Sequence, residues 1–162
     1  MTDSEKRYFS DMYEKHAKSV YGVCLMYLKN KDDAEEAVSE AFIRLMETRP
    51  SLEDDVHAKS YLMKAAVNVC KNSLKSSWRR HVVHDEDVLI YMTTPEEESI
   101  MTEVLALPTK YRVIIYLHYY VGYTTKEIAD ITGLTQSAVL SRLSRGRGKL
   151  KDILIKGGFN YA

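Results

Sequence analysis

The residues from Thr125 to Leu150, TKEIADITGLTQSAVLSRLSRGRGKL, constrain the fold more than any other part of the chain. Two runs with apolar residues three and four positions apart flank Gly133, so the pattern predicts two helices joined by a tight turn. Gly133 supplies the positive φ that the turn requires, while Thr125 and Thr135 are placed to cap the two helices. The segment indicates a helix-turn-helix with small Ala129 at the crossing. Its predicted core residues are Ile128, Ile131, Leu134, Val139 and Leu143.

The second helix of this motif has a polar and strongly basic outer face. Five Lys/Arg residues and no acidic residue lie between 135 and 151. Such a helix suits the DNA major groove, where its first residues reach base edges and later ones hold phosphates. A solvated amphipathic helix is the alternative. Gly146 and Gly148 each lower helix propensity by about 1 kcal/mol relative to alanine, which predicts fraying of the helix end without DNA. The candidate DNA-reading residues are Gln136, Ser137, Ser141, Arg142 and Arg145.

Helical spacing extends through most of the 162 residues, and only 7 Gly and 3 Pro interrupt it. The pattern predicts helices over 5–29, about 33–47 and about 56–78, and four more between 96 and 156. Residues 81–95 show no sustained helical period and end in Thr-Thr-Pro, which is typical of a linker. We therefore expect an all-α protein with two small helical domains, 1–80 and 96–162, joined by an acidic linker, 81–95.

The predicted third helix has one basic face that also carries amides. The net charge is zero, yet residues 56–80 contain six basic residues and no acidic one. Lysines for phosphates, amides for base edges and aromatic rings for stacking are what a single-strand binder needs, although such a face can also be merely solvated. The candidate residues of this face are Tyr61, Lys64, Asn68, Lys71, Asn72, Lys75 and Arg79, with Trp78 at its edge and Arg80 at its end.

The predicted second helix has an acidic face bordered by an isoleucine. Its charged positions fall on one side of the helix, opposite the apolar residues. An apolar side chain at that border has no core to enter, so it indicates a partner surface, or else a lone exposed residue. The candidate partner-binding residues are Asp33, Glu36, Glu40, Ile43 and Arg44.

The rest of the sequence narrows the class of protein. There is no run of 18 apolar residues and no secretory signal, so we expect a cytoplasmic protein that does not insert into a membrane. Cys24 and Cys70 lie in apolar helical patterns without metal-ligand spacing, and we expect both to be buried thiols. We expect no metal site, no cofactor and no catalytic residue.

Three segments together resemble a bacterial RNA polymerase sigma factor of the sigma-70 family, in its extracytoplasmic function group. These are DDAEEAVSEAFIRL at 32–45, SYLMKAAVNVCKNSLKSSWRR at 60–80 and the stretch 107–151. The resemblance implies that 1–80 is region 2, which docks on the β′ clamp coiled coil of core polymerase and melts the −10 element. It implies that 96–162 is region 4, which binds the −35 element and the β flap, and that an anti-sigma factor regulates the chain.

The resemblance also assigns the candidate residues to these partners. It places Asp33, Glu36, Glu40, Ile43 and Arg44 against polymerase, and the residues chosen from 136–145 in the −35 groove. The −10 strand would meet Tyr61, Asn68, Lys71, Asn72, Lys75, Trp78, Arg79 and Arg80. The family often has Trp-Leu where this chain has Tyr61-Leu62, and an aspartate where it has Asn72, and these departures bear on promoter sequence.

Two other functions are compatible with parts of the chain. An ordinary helix-turn-helix repressor or activator would explain the C-terminal half, but it would leave the basic face of 61–80 without a role. An enzyme would need a metal cluster at His81, His84, Asp85 and Glu86, which lacks the helical spacing of hydrolase sites. We therefore expect a promoter-selecting subunit of RNA polymerase that is not an enzyme.

Overall fold

A computed structural model describes residues 2–48, 55–76, 83–91 and 100–157. Every regular element within these ranges is a helix, which confirms the all-α prediction. The chain divides into two compact units, unit 1 (Met1–Val83) and unit 2 (His84–Ala162). None of the helices in the described part of the chain has an apolar stretch long enough to cross a membrane.

Unit 1 contains three long helices, each of which packs against the other two. They are α1 (Asp3–Leu28), α2 (Lys31–Thr48) and α3 (Asp55–Lys75). The turn between α1 and α2 is short because Lys29 adopts the left-handed conformation, with φ 50°, and donates its N–H to the Leu25 carbonyl at 2.8 Å. The Asn30 side chain then accepts from the Asp33 N–H at 3.0 Å, so α2 begins two residues before its predicted start.

The core of unit 1 contains both cysteines of the chain. Cys24 on α1 and Cys70 on α3 are fully buried, which confirms the prediction of buried thiols. A hydrogen bond with Cys24 and burial in the core together raise the pKa of the Cys70 thiol far above its usual range. Cys70 therefore stays protonated, and both side chains serve as apolar packing between the two helices.

Unit 2 contains five α-helices and one π-helical segment among its described residues. The helices are α4 (Asp85–Tyr91), α5 (Met101–Leu105), α6 (Thr109–Ile115), α7 (Thr125–Thr132) and α8 (Gln136–Lys156). The π-helical segment, Tyr116–Val121, continues α6 and ends at Gly122, whose φ is 90°. Both α6 and α7 pack against α8, so α8 is the central helix of this unit.

Helix α4 lies within 81–95, the stretch predicted to be a linker without a sustained helical period. Its first turn holds Asp85, Glu86 and Asp87, whose negative charges stabilise the positive end of the helix dipole. Val88 is fully buried, and α4 packs against α5. The seven residues of α4 are too few to show a helical period in the sequence. Burial of Val88 stabilises the short helix. The functional boundaries 1–80, 81–95 and 96–162 remain a prediction.

A buried arginine fixes the corner between α5 and α6. Arg112 donates to the Leu107 carbonyl at 2.9 Å and to the Thr109 hydroxyl at 3.1 Å. Burial lowers the pKa of Arg112 to about 10, and the charge of Asp85 on α4 opposes that shift. These contacts set the direction of α6, the helix on which α8 rests.

Candidate nucleic-acid interface

The turn between α7 and α8 has the geometry of a helix-turn-helix. Thr124 caps α7: its hydroxyl accepts from the Glu127 N–H at 3.1 Å, and the Glu127 carboxylate accepts from the Thr124 N–H at 3.0 Å. The prediction of Thr125 as the cap is therefore wrong by one residue, because only Thr124 places Glu127 at the third helical position. Gly133 has φ 78°, as the turn requires.

The start of α8 is held by two further hydrogen bonds. The Thr135 hydroxyl accepts from the Ala138 N–H at 3.1 Å, which confirms Thr135 as the cap. The side chain of Gln136 donates to the Thr125 hydroxyl at 3.0 Å and so ties the two helices of the motif together. Of the predicted core residues, Leu134 is half-buried, and the other four are buried: Ile128, Ile131, Val139 and Leu143.

The predicted reading face of α8 is mostly open to solvent. Arg142 is half-buried at the border of the core, so it is less free to enter a groove than Arg145. The candidate residues that are exposed are Gln136, Ser137, Ser141 and Arg145. The structure therefore brings four of the five candidate residues onto an accessible surface of one helix.

Gly146 lies at the crossing of α6 and α8. It is buried, and a Cβ built on it would lie 3.3 Å from the side chain of Ile115 and 3.4 Å from the Cβ of Tyr111. The missing side chain of Gly146 lets two helices approach closely, a role that its low helix propensity does not reveal, and the predicted fraying of the helix end stays a prediction. Gly148 has no atom within 4 Å of its built Cβ, and α8 continues without a break to Lys156.

The structure adds an arginine–tyrosine pair that sequence analysis missed. Arg147 on α8 donates to the Tyr119 hydroxyl at 2.9 Å, and both side chains are exposed. The rings of Tyr119 and His118 pack edge to face with centroids 4.9 Å apart, and His118 Nδ1 lies 2.9 Å from the Tyr123 carbonyl oxygen. The pair is separated by 28 residues in sequence, so no local pattern could have predicted it.

In unit 1, the predicted amide and lysine face of α3 is accessible. Tyr61, Lys64 and Lys71 are half-buried, while Asn68, Asn72 and Lys75 are exposed. The Tyr61 hydroxyl lies 2.7 Å from the Thr48 hydroxyl at the end of α2, which fixes the position of the ring. The remaining predicted members of this face, Trp78, Arg79 and Arg80, lie outside the described residues.

The acidic face of α2 lies next to the α3 face. A groove of about 250 Å³ runs along the surface where the two helices meet, and it has Glu36 and Glu40 on one side and Asn72 on the other. Glu40 accepts from Arg44 at 3.0 Å in an exposed ion pair. Ile43 is 51% exposed, as its position at the border of the charged face predicts. The groove is lined by Leu28, Asp33, Glu36, Ala37, Glu40, Arg44, Val69, Asn72, Ser73 and Ser76.

The residues of the alternative metal cluster are only partly described. His84 lies 3.4 Å from the Glu86 carboxylate, and His81 is outside the described residues. In the parts of the chain that the structure covers, no group of three or more His, Cys, Asp or Glu side chains is arranged to hold a metal ion.

Two family models match the chain, one in each unit. The model of sigma-70 region 2 matches residues 12–80, and the model of sigma-70 region 4 matches residues 97–150. Two relatives in Bacillus subtilis (strain 168) match over most of their length. The RNA polymerase sigma factor SigV is 28% identical over 87% of each chain. The ECF RNA polymerase sigma factor SigW is 26% identical over 90% of this chain and 88% of its own.

Two solved structures share the fold. The structure of CnrH in complex with the cytosolic domain of CnrY has a TM-score of 0.68 at 21% identity, and it covers 93% of this chain and 90% of that chain. The sigma factor RpoE in complex with the anti-sigma factor NepR, from Bartonella quintana, has a TM-score of 0.70 at 17% identity, with 90% and 96% covered.

Proposed function

Because the chain belongs to the sigma-70 family, in the extracytoplasmic function (ECF) group, we propose that its two units recognise two different forms of promoter DNA. As a sigma factor, the protein directs RNA polymerase to promoters for transcription initiation. Unit 1 binds core polymerase and the unpaired strand of the −10 element. Unit 2 binds the intact duplex of the −35 element.

The observation that carries this proposal is the difference between the exposed faces of α3 and α8. The α3 face presents amides and lysines beside the ring of Tyr61, and these groups suit unstacked bases and a flexible phosphate backbone. The α8 face belongs to a capped helix that meets its partner helix at a tight turn, and that arrangement fits the major groove of a duplex. One chain therefore offers a surface for each state of the promoter.

The acidic face of α2 is the proposed surface for core polymerase. The exposed Ile43 offers an apolar contact, and the carboxylates of α2 surround it as a charged rim. An apolar centre with a polar rim is the usual composition of a protein interface. The groove beside Asn72 puts this face next to the proposed −10 face. A polymerase element bound on α2 would thus lie beside the melted strand on α3.

The remaining partners follow from family membership. We propose the β′ clamp coiled coil as the partner of α2 and the β flap as a partner of unit 2. The solved relative RpoE is bound to an anti-sigma factor, which supports an anti-sigma partner for this chain. The protein itself performs no chemistry and works in the cytoplasm, where polymerase and promoters meet.

Run-off transcription over a library of promoters tests the proposal. We expect core polymerase from the source organism to start at specific, asymmetric promoters only when the chain is added. An ordinary repressor or activator would instead bind palindromic sites without polymerase. Binding of that kind, with no promoter-specific initiation, would contradict the assignment of roles.

Substitution of Ile43 tests the polymerase surface. We expect Ile43→Glu to weaken association with core polymerase at least about thirtyfold, because a buried charge at the centre of an interface costs about 2 kcal/mol or more. The variant should fold normally, since Ile43 is exposed. Affinity is measured by titration of labelled chain with core enzyme. Ile43→Val is the control, and equal affinities of the two variants would remove Ile43 from the interface.

Substitution of Arg145 tests the −35 surface. We expect Arg145→Ala to cost about 1 to 3 kcal/mol of −35 binding if the guanidinium contacts a base edge, and to relax sequence preference at that position. Arg142→Ala should cost less, because Arg142 is half-buried. Promoter retention by holoenzyme over a set of −35 variants measures both effects. Unchanged retention in the double variant would contradict the placement of α8 in the groove.

A further inference from the structure

The reading face of α8 contains one large apolar side chain, Leu140. It is 51% exposed, although its neighbours Val139 and Leu143 are buried in the core of unit 2. At 100° per residue, Leu140 has the exposed side chains of Ser137, Ser141 and Ser144 on one side and that of Gln136 on the other. The core therefore does not account for Leu140, and the surface around it is polar.

The charge of α8 indicates what covers this face. Five Lys/Arg residues and no acidic residue lie between 135 and 151, so the helix attracts a polyanion. The groove edges of DNA are polar except for the 5-methyl group of thymine, which is the apolar feature that proteins read in the major groove. An exposed leucine on a basic helix matches that feature, and the small serines around it leave room for the base edge.

We propose that Leu140 is a specificity-determining residue that reads a thymine of the −35 element through its 5-methyl group. The inference rests on the proposed function of unit 2 as the binder of −35 duplex. Leu140 lies in the second turn of α8, and the early turns of a recognition helix are those that contact base edges. The Thr135 cap and the bond from Gln136 to Thr125 hold these turns in place, so the leucine is presented from a rigid part of the motif.

Replacing thymine by deoxyuridine tests the contact, because deoxyuridine lacks only the methyl group. Duplexes with a randomised −35 element are first selected for binding to holoenzyme that carries the wild-type chain. Each thymine of the selected element is then replaced in turn. We expect one position at which deoxyuridine weakens binding about fourfold, the factor expected for losing one buried methyl-sized group.

The leucine is assigned by combining the base change with a protein change. Leu140→Ala should weaken binding to the thymine duplex and should be insensitive to deoxyuridine at that same position. Ile155→Ala is the matched control, since Ile155 is 53% exposed on α8 but lies four turns further on. The control should keep the wild-type response to deoxyuridine. Thermal unfolding of both variants should match that of the wild-type chain, because both side chains are exposed.

The outcomes separate this inference from the function on which it rests. If holoenzyme selects a −35 element but Leu140→Ala responds to deoxyuridine as the wild type does, the thymine contact is wrong and the proposed function stands. The same holds if no thymine responds in the wild type. If no −35 element is selected at all, the proposed function of unit 2 fails, and the inference fails with it.

Discussion

Replacing Asn68, Asn72 and Lys75 together by alanine is expected to weaken capture of an unpaired −10 strand about a hundredfold and to leave −35 duplex binding within about twofold. Each hydrogen bond is worth about 0.5 to 1.5 kcal/mol, and three such contacts sum to about 3 kcal/mol. All three side chains are exposed on α3, so their loss should not unfold unit 1. Under the proposed function, unit 2 binds the −35 duplex, so that affinity should not respond.

Two probes and one control make this comparison. Holoenzyme is titrated with promoter DNA that has a premelted −10 bubble, and separately with a duplex limited to the −35 element. Lys18→Ala removes an exposed lysine from α1, beside a groove between α1 and α2, and should leave both affinities unchanged. Equal losses on bubble and duplex in the triple variant would refute the assignment of α3 and would favour an ordinary repressor.

A leucine at Gly146 is expected to destabilise unit 2 by about 3 kcal/mol, at the upper end of the usual cost of overpacking a core. Its Cβ would already lie 3.3 Å from Ile115, and the rest of the side chain has no space between α6 and α8. For a unit of this size, the midpoint of thermal unfolding should fall by about 12 °C or more. Circular dichroism across the unfolding transition of unit 2 measures the change.

Gly148 provides the matched control for this prediction. A Cβ there meets no atom within 4 Å, so Gly148→Leu should raise stability by about 0.8 kcal/mol through helix propensity alone. Opposite signs for the two variants would show that packing against Ile115 decides the role of Gly146. If Gly146→Leu is as stable as Gly148→Leu, the close approach of α6 and α8 does not constrain that residue.

Local patterns in the sequence predict the parts of this fold that depend on local physics. The three helices of unit 1 begin and end within a few residues of the predicted bounds, because apolar spacing and capping residues lie in the same stretch of chain. The turn at Gly133 and the cap at Thr135 are equally local, and the structure confirms them. The exposure of Ile43 is likewise predicted from its position on the helix.

Features that depend on distant residues could not be predicted in this way. Gly146 packs against Ile115, which lies on another helix. When that contact is not known, a glycine inside a helix indicates only a low helix propensity. The hydrogen bond between Arg147 and Tyr119 also joins residues that are far apart in sequence, so no local pattern predicts it. Helix α4 escaped prediction because burial of Val88 stabilises a segment that is too short to show a period.

Both cysteines of the chain lie in the core of unit 1, and unit 2 has none. A thiol-reactive reagent therefore modifies the protein only when unit 1 opens, whether unit 2 is folded or unfolded. The rate of modification at increasing reagent concentration reports the opening equilibrium of unit 1 in the intact chain. The two natural thiols therefore allow the stability of unit 1 to be measured by itself in the intact chain.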